Sequence, residues 1–265
     1  MFASAYYSFD QMVKRSALER DAHKFGAAAC HIRAGVAGGS SALTWGSRNG
    51  ETPRLGDLMA RRKPRPTVRE ENERALLEAA ESVFAERGFA GATTAAIAQR
   101  AGVPKANLHY YFPTKEGLYR SVIERVLTAW LAAASSFDTS DDPRLALSAY
   151  IGAKMDLARE MPLATRIWSA EIMRGAPMIQ DFLDSTLSEW VASRERVVKR
   201  WIVAGKLKPI EPKFLFYMIW ATTQQYANAA HEMATLNMGR PLDDRAFERA
   251  KTEVIEIILR GVAAA

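Results

Sequence analysis

The chain has 265 residues, 48% of them hydrophobic, with a formal net charge of +6, enough for one large domain or two small ones around a real core. A single cysteine, Cys30, excludes an internal disulfide, and no apolar run reaches the roughly 18 residues of a membrane-spanning helix. The start, "MFASAYYSFDQMVKR", lacks the basic-then-apolar order of a signal peptide, so a cytoplasmic protein with no membrane partner is expected.

The charge is placed unevenly. Residues 1–66 hold 11 Lys/Arg against 5 Asp/Glu, which is the whole net excess, and the rest of the chain balances. A basic arm suits a polyanion partner; the plain alternative is a solvated tail. Residues 1 to about 60 show neither helical nor strand periodicity, and "CHIRAGVAGGSSALTWGSRNGETP" has the composition of a loose segment. Residues 1–63 are therefore read as a basic extension, 64–113 as a first domain and 114–265 as a second. Met59 opens the basic stretch "MARRKPRP", and native translation is expected to start there. A genuine long arm is the alternative, and the intact mass of the protein made from its own gene separates the two.

At Thr67 the pattern changes. Thr67 and Glu70 fit a capping box, Leu76, Ala80, Val83 and Phe84 form an amphipathic stripe, and Gly88 ends the helix. A short helix is expected over 94–101, a turn at Gly102-Val103, and a second short helix over 104–111 that stops at Pro113. Thr114 caps the next helix, with Leu118, Val122, Leu127, Trp130 and Leu131 inward. Pro143 and Pro162 open two more. A long helix runs to Ala204 with Leu183, Leu187, Val191, Val198 and Trp201 on one stripe. Helices over about 212–235 and 244–262 close the chain, separated by "NMGRPLDD". The fold class is all-α: a three-helix N-terminal head, then a six-helix bundle.

A helix, a glycine turn and a second short helix make a helix-turn-helix unit. The run "KANLHYYFPTK" is too polar for core and too aromatic for a plain solvated face. A helix over these residues puts Lys105 and His109 on one face, with Ala106 and Asn107 beside them. Such a helix enters the major groove of double-stranded DNA. Lys105 can donate to guanine O6 or N7, Asn107 can bond adenine bidentately, and Ala106 is small enough to meet a thymine methyl. Tyr110 and Tyr111 carry hydroxyls suited to phosphate oxygens, and Lys115 adds charge at the next helix start. Leu108 and Phe112 are expected to face inward, onto Ile97 and Val103. A small amphipathic helix with an idle polar face is the alternative. The arm "RRKPRP", Arg61 to Pro66, suits the adjacent minor groove.

"GATTAAIAQRAGVPKANLHYYFPTKEGLY" resembles the DNA-binding unit of the TetR family of bacterial transcription regulators. The shared features are Thr93 or Thr94, Ile97-Ala98, Ala101-Gly102-Val103, Tyr110-Tyr111-Phe112 and Lys115. One departure is Pro104, where the family usually has Ser or Thr; proline fits a first helical turn but brings no hydroxyl. The resemblance implies that Lys105, Ala106, Asn107 and His109 meet bases and that Tyr110, Tyr111 and Lys115 meet phosphates. Thr93, Thr94 and Pro104 complete the expected DNA-binding set. It also implies a homodimer, formed by the last two helices, on a palindromic operator.

"RIWSAEIMRGAP" and "FYMIWATTQQYANAA" resemble the C-terminal domain of pyrimidine-binding repressors within that family. Trp220, Gln224 and Asn228 follow at i, i+4 and i+8, an indole to stack on a flat ring and amides to read its edge. Trp130 matches a tryptophan that the resemblance places near the ligand. Pyrimidine-binding relatives can carry His and Asp where this chain has Gln225 and Asn228, so the ligand is expected to be a small planar molecule not restricted to pyrimidines. Core or dimer interface is the other reading of this aromatic stripe. No cofactor and no metal site are expected: His23, His31, His109 and His231 have no ligand partners at metal spacing. Glu171 and Arg174 at i, i+3 are read as a surface or interdomain ion pair, not a catalytic pair. No nucleophile elbow, phosphate loop or dinucleotide fingerprint supports an enzyme. The expected function is a DNA-binding regulator, acting as a repressor released by a small effector; a regulator governed by abundance or a protein partner is the alternative.

Overall fold

The computed structural model describes residues 67–264. The expected basic extension, its "RRKPRP" arm and the Met59 start lie outside them. Helix α1 is Val68–Gly91, and its start is a capping box: the Glu70 N–H donates to Thr67 Oγ1 at 3.3 Å and the Thr67 N–H donates to Glu70 Oε2 at 2.7 Å. Leu76, Ala80, Val83 and Phe84 are all buried, as the stripe requires. Gly88, at φ +65°, breaks the helical path before the chain reaches Ala92. A side chain is strained in that left-handed conformation, which is why glycine stands there.

Helices α2, Thr94–Ala101, and α3, Lys105–Tyr111, follow, joined by the left-handed Gly102 at φ +69°. Helix α4, Lys115–Ala133, starts at Thr114, whose hydroxyl accepts from the Gly117 N–H at 3.0 Å. After a single turn over Ser136–Thr139 come α5, Pro143–Glu160, and α6, Pro162–Met173, each with proline in its first turn. A turn over Gln180–Phe182 and a π-helical turn over Leu183–Leu187 then lead into α7, Ser188–Val203. The chain closes with α8, Pro212–Asn228; α9, Ala230–Leu236; and α10, Asp244–Val262. The described residues contain no strand, only one isolated bridge between Leu207 and Ala263. No helix among them is long and apolar enough to cross a membrane.

Two features depart from the sequence pattern. The helix expected over 212–235 is interrupted at Ala229, where φ −107° and ψ 26° end α8 and start α9. The long helix before Ala204 carries the π turn near its start. An inserted π turn displaces the following side chains from the regular 3.6-residue pattern. The predicted stripe fits its far half, where Val198 and Trp201 are buried, better than its near half, where Leu183 and Leu187 are only partly covered.

Helix α5 is the axis of the C-terminal bundle. It packs against α4, α8 and α10 and carries Leu147, Tyr150, Ile151 and Met155 into a core with Phe137, Trp201, Phe216 and Ile219. Burying a side chain of this size contributes about 1.5–3 kcal/mol. In the head, α1 packs on α2 and α4, and it also packs on α6 of the bundle. The head is therefore anchored at two places, through α4 in the chain and through α6 in space.

Candidate functional site

Helix α3 is short, and its packing decides which side chains are free. Leu108 is fully buried and Phe112 nearly so, on the same side as the buried Ile97 of α2. The expected inward face is thus the observed one, although Val103 is only partly covered. Lys105, Ala106, Asn107, His109 and Tyr110 all point to solvent. Tyr110 is 71% exposed and meets Tyr111 edge to face at 5.3 Å. A large exposed tyrosine beside a lysine, an asparagine and a histidine makes a polar, flat-faced surface.

The residues around this face divide into those free to act and those already engaged. Thr93 is the N-cap of α2 and accepts from the Ala96 N–H at 3.1 Å, while Thr94 is half-buried in the first turn. Pro104 takes the N-cap position of α3 with no side-chain cap, so its backbone carbonyl alone receives the Asn107 N–H at 2.9 Å. Lys115 is engaged most. Its ammonium donates to the carbonyls of Phe89 and Ala92 at 2.9 and 3.1 Å and lies 4.3 Å from the centre of the Phe89 ring. It ties the start of α4 to the last turn of α1, just past the break at Gly88, and to Ala92 after it.

A second tie joins α4 to α6. Glu171 is fully buried. It accepts from the Tyr119 hydroxyl at 3.0 Å, from Arg174 Nη2 at 2.6 Å and from the Met178 N–H at 2.8 Å. Arg174 also donates to the Tyr119 oxygen at 3.0 Å. Burial, reinforced by the Glu171 charge, pushes the Tyr119 hydroxyl well above the usual tyrosine range, so it stays a donor. Glu171 and Arg174 form the expected ion pair, but within the second domain, between α4 and α6, with the carboxylate inside the protein and not on its surface.

Further along α4 a cavity of about 40 Å³ opens between α4, α5, α6, α8 and the start of α7. Trp130 and Trp220 line it, as does Gln224. Asn228 does not. It is exposed, and its Nδ2 donates to Ser169 Oγ at 2.9 Å. The reason is helical drift: each four-residue step turns the side chain by about 40°, so two steps carry Asn228 about 80° from Trp220. Gln225 is also exposed and outside the cavity, so the expected consequence of the departures at Gln225 and Asn228 for ring recognition does not follow from direct contact.

The cavity contains residues that the sequence pattern did not single out. Trp168 meets Trp130 edge to face at 5.6 Å, and Trp190 lies 6.3 Å from Trp220. Trp220 Nε1 donates to the Tyr150 oxygen at 2.8 Å. Lys154, only 2% exposed, places its ammonium 3.6 Å from the centre of the Trp130 ring. Burial drives the Lys154 pKa well below the usual lysine value.

A tight glycine turn, a short helix with an exposed polar face, and a helical C-terminal domain around an aromatic cavity define a helix-turn-helix DNA-binding regulator. Comparison with known proteins agrees. Residues 76–122 match the family described as bacterial regulatory proteins, tetR family, and residues 123–265 match the C-terminal region of YcdC-like proteins. The chain is 36% identical over 190 residues to the HTH-type transcriptional regulator RutR of Escherichia coli (strain K12), covering 72% of this chain and 90% of that protein. It is 30% identical over 107 residues to the HTH-type transcriptional regulator BetI of Stenotrophomonas maltophilia (strain R551-3), covering 40% and 55% of the two chains. The protein belongs to the TetR family of transcriptional regulators. Among solved structures, the ketosteroid transcriptional regulator KstR2 of Mycobacterium tuberculosis shares the fold at TM-score 0.57 and 20% identity, over 73% of this chain and 95% of that one. The regulator PfmR of Thermus thermophilus does so at TM-score 0.57 and 18% identity, over 70% and 97%.

Proposed function

We propose that the protein is a repressor that binds a palindromic operator as a homodimer and is released by a small planar effector. The observation that carries this reading is the α3 face. Lys105, Ala106, Asn107, His109 and Tyr110 are free while Leu108 and Phe112 are held inside. Lys105, Ala106, Asn107 and His109 read base edges in the major groove. Tyr110 and Tyr111 meet phosphates, with Thr93, Thr94 and Pro104 positioning the helix at its approach. Lys115 serves the DNA site chiefly from behind, by fixing α4 to the carbonyls beneath the head.

The dimer reading is supported by an apolar face on α8 and α10. Phe214, Tyr217 and Met218 on α8 are 69%, 52% and 43% exposed, and Ile257 on α10 is 67% exposed. Phe214, Tyr217, Met218 and Ala221 follow at i, i+3, i+4 and i+7, a stripe that pairs with its own copy across a two-fold axis. Two recognition helices related by that axis reach half-sites about 34 Å apart, or a multiple of it.

Helix α4 links the effector cavity to the head. Lys115 sits at its start, while Leu127, Trp130 and Leu131 line the cavity near its end. From Lys115 to Trp130 the helix spans roughly 22 Å. A cavity of about 40 Å³ is far smaller than the roughly 300 Å³ of ordinary ligand pockets, so an effector must spread its walls. Moving α4 moves the grip of Lys115 on the head. Effector and DNA then weaken each other's binding by the same factor.

The test is binding of the purified protein to a labelled fragment of its own upstream region, with and without uracil, the probe suggested by the pyrimidine resemblance. Tight binding abolished by uracil is expected. Failure to bind the fragment at low salt overturns the operator reading. Binding that no flat heterocycle weakens favours the rival regulator, governed by abundance or a protein partner.

A further inference from the structure

Away from the aromatic cavity, a larger cleft of about 410 Å³ lies between α7 and the connector from α4 to α5. A cleft of this volume is in the size range of small-molecule sites. It shares no lining residue with the aromatic cavity and takes none from α1, α2 or α3. Ser193, Arg196, Val197 and Arg200 follow at i, i+3, i+4 and i+7, so one stripe of α7 makes one wall. Asp138, Thr139, Ser140 and Asp141 of the connector make the other. Phe137 and Val197 are buried and close the floor.

Both walls are fixed. Arg194 grips the Asp138 carboxylate through both of its Nη atoms and ties α7 to the connector. Lys206 Nζ donates to the Asp141 carbonyl at 2.8 Å, and Ser136 Oγ donates to the Ala146 carbonyl at 2.9 Å. The same region has already engaged most of its acidic groups. Asp138 is matched by Arg194, and Asp142 caps α5, its carboxylate accepting from the Arg144 N–H at 2.8 Å. Arg196 and Arg200 are left over. Both are exposed, and neither has an ion pair or a side-chain hydrogen bond among the described residues. The Lys206 ammonium meets a neutral carbonyl, so its charge is unmatched as well. Against these three cations the cleft sets one carboxylate not already bound, that of Asp141.

We propose that this cleft is a binding site, separate from the aromatic cavity, for the phosphate group of a small phosphate monoester. A guanidinium presents its N–H donors in a planar fork, and two of them on adjacent turns match the oxygens of a terminal phosphate. A monoester carries about −1.5 to −2 charge at neutral pH, enough to answer Arg196 and Arg200 together and to outweigh Asp141. Ser193 makes no side-chain hydrogen bond among the described residues, so its hydroxyl adds a donor on the same stripe. A concave site with a closed floor suits a small molecule better than a nucleic-acid backbone, and so does the lack of any lining residue from the head. The proposal rests on neither the operator reading nor the effector reading. The connector continues directly from α4, so an occupant that braces it against α7 bears on the helix that carries the head.

The test is titration calorimetry on the full chain, with ionic strength held constant by sodium chloride. The probes are ribose 5-phosphate, inorganic phosphate, uncharged ribose, and dimethyl phosphate, a diester with a single negative charge. Saturable binding of ribose 5-phosphate is expected, with ribose and dimethyl phosphate weaker by about 10-fold or more. Replacing both arginines, Arg196→Gln with Arg200→Gln, should weaken ribose 5-phosphate by about 10-fold or more. Both side chains are exposed, so this double variant should keep the circular dichroism of the parent. Lys199→Gln removes a charge from the same helix outside the cleft and should leave the affinity unchanged. No binding of ribose 5-phosphate, or equal binding of ribose or dimethyl phosphate, overturns the proposal. Parent-like affinity in the double variant, or an equal loss in Lys199→Gln, overturns it as well. Binding of inorganic phosphate without ribose 5-phosphate would leave a bare anion site and sink the monoester. Loss of DNA binding by the double variant with no phosphate present would make Arg196 and Arg200 part of the DNA surface, which also overturns the reading.

Discussion

Replacing Lys154 with methionine should make the ligand-free protein more stable. Methionine matches the length of the lysine stem and leaves no polar group behind. Holding an ammonium in a buried site costs several kcal/mol after relaxation. The Trp130 face 3.6 Å away returns about 2 kcal/mol through its ring quadrupole. The difference favours the variant by about 1–3 kcal/mol at neutral pH, a sizeable part of the stability of an ordinary domain. The pH dependence follows from the direction of the shift. Lys154 has a folded-state pKa well below its ordinary value, whereas the unfolded chain carries an ordinary lysine near 10.4. Between those two values the unfolded chain binds a proton that the folded chain does not, so the parent gains stability as pH rises. The penalty is fully present below the folded pKa and disappears as pH passes the unfolded one. The variant has no such group, so its advantage should be largest near neutrality and should close toward pH 10. Tyr150, the other titratable group at the cavity, does not intrude, because burial pushes its hydroxyl above this range. Urea denaturation at several pH values between 6 and 10, followed by far-ultraviolet circular dichroism, measures the gap. A variant less stable than the parent, or an advantage that stays constant with pH, would refute the reasoning, because Lys154 would then have a partner or ready access to water.

Three further substitutions probe the junction and the DNA face. Glu171→Ala leaves the buried Tyr119 hydroxyl and the Met178 N–H without an acceptor, at about 1–3 kcal/mol each, so a loss of about 3–5 kcal/mol is expected in urea denaturation. Tyr119→Phe keeps the Arg174 and Met178 bonds to Glu171 and should lose only about 1 kcal/mol; equal losses in the two variants would show that the hydroxyl, not the carboxylate, organises the junction. Asn107→Ala should cost about 1–3 kcal/mol on the operator and relax preference at one base pair, with non-specific DNA binding unchanged. A loss of the same size on every sequence would show that Asn107 meets the backbone and not a base.

The head was legible because its signals are local. Thr67 with Glu70, Gly88, Gly102 and Thr114 are caps and turns that act within a few residues, and each sits in the structure where its chemistry demands. The cavity was legible only in part. Trp220 and Gln224 follow from spacing and Trp130 from the family resemblance, but spacing overran at Asn228, where accumulated helical drift and the break at Ala229 end the shared face. Trp190 is off the stripe read for this helix because no simple period spans the inserted π turn, and Leu187, although on that stripe, was not placed at the cavity.

Two inward stripes each carry a single charge. Leu147, Tyr150, Ile151, Lys154, Met155 and Ala158 form a regular inward stripe, and Lys154 is its one charged member. Ala164, Ile167, Trp168 and Glu171 form another, again with one charge. A charged residue at a core position is costly unless it is paired, so each such position asks what pairs it. For Glu171 the answer is inside the chain, in Tyr119, Arg174 and the Met178 N–H. For Lys154 the described residues give none. The two stripes face the same helix, α4, through Tyr119 and Trp130, and Lys115 at its start holds the head. A partner that enters beside Lys154 therefore pushes on the helix that Glu171 and Lys115 hold in place. Weakening the Glu171 tie should make the head easier to move, so Tyr119→Phe should release DNA at a lower effector concentration than the parent protein requires.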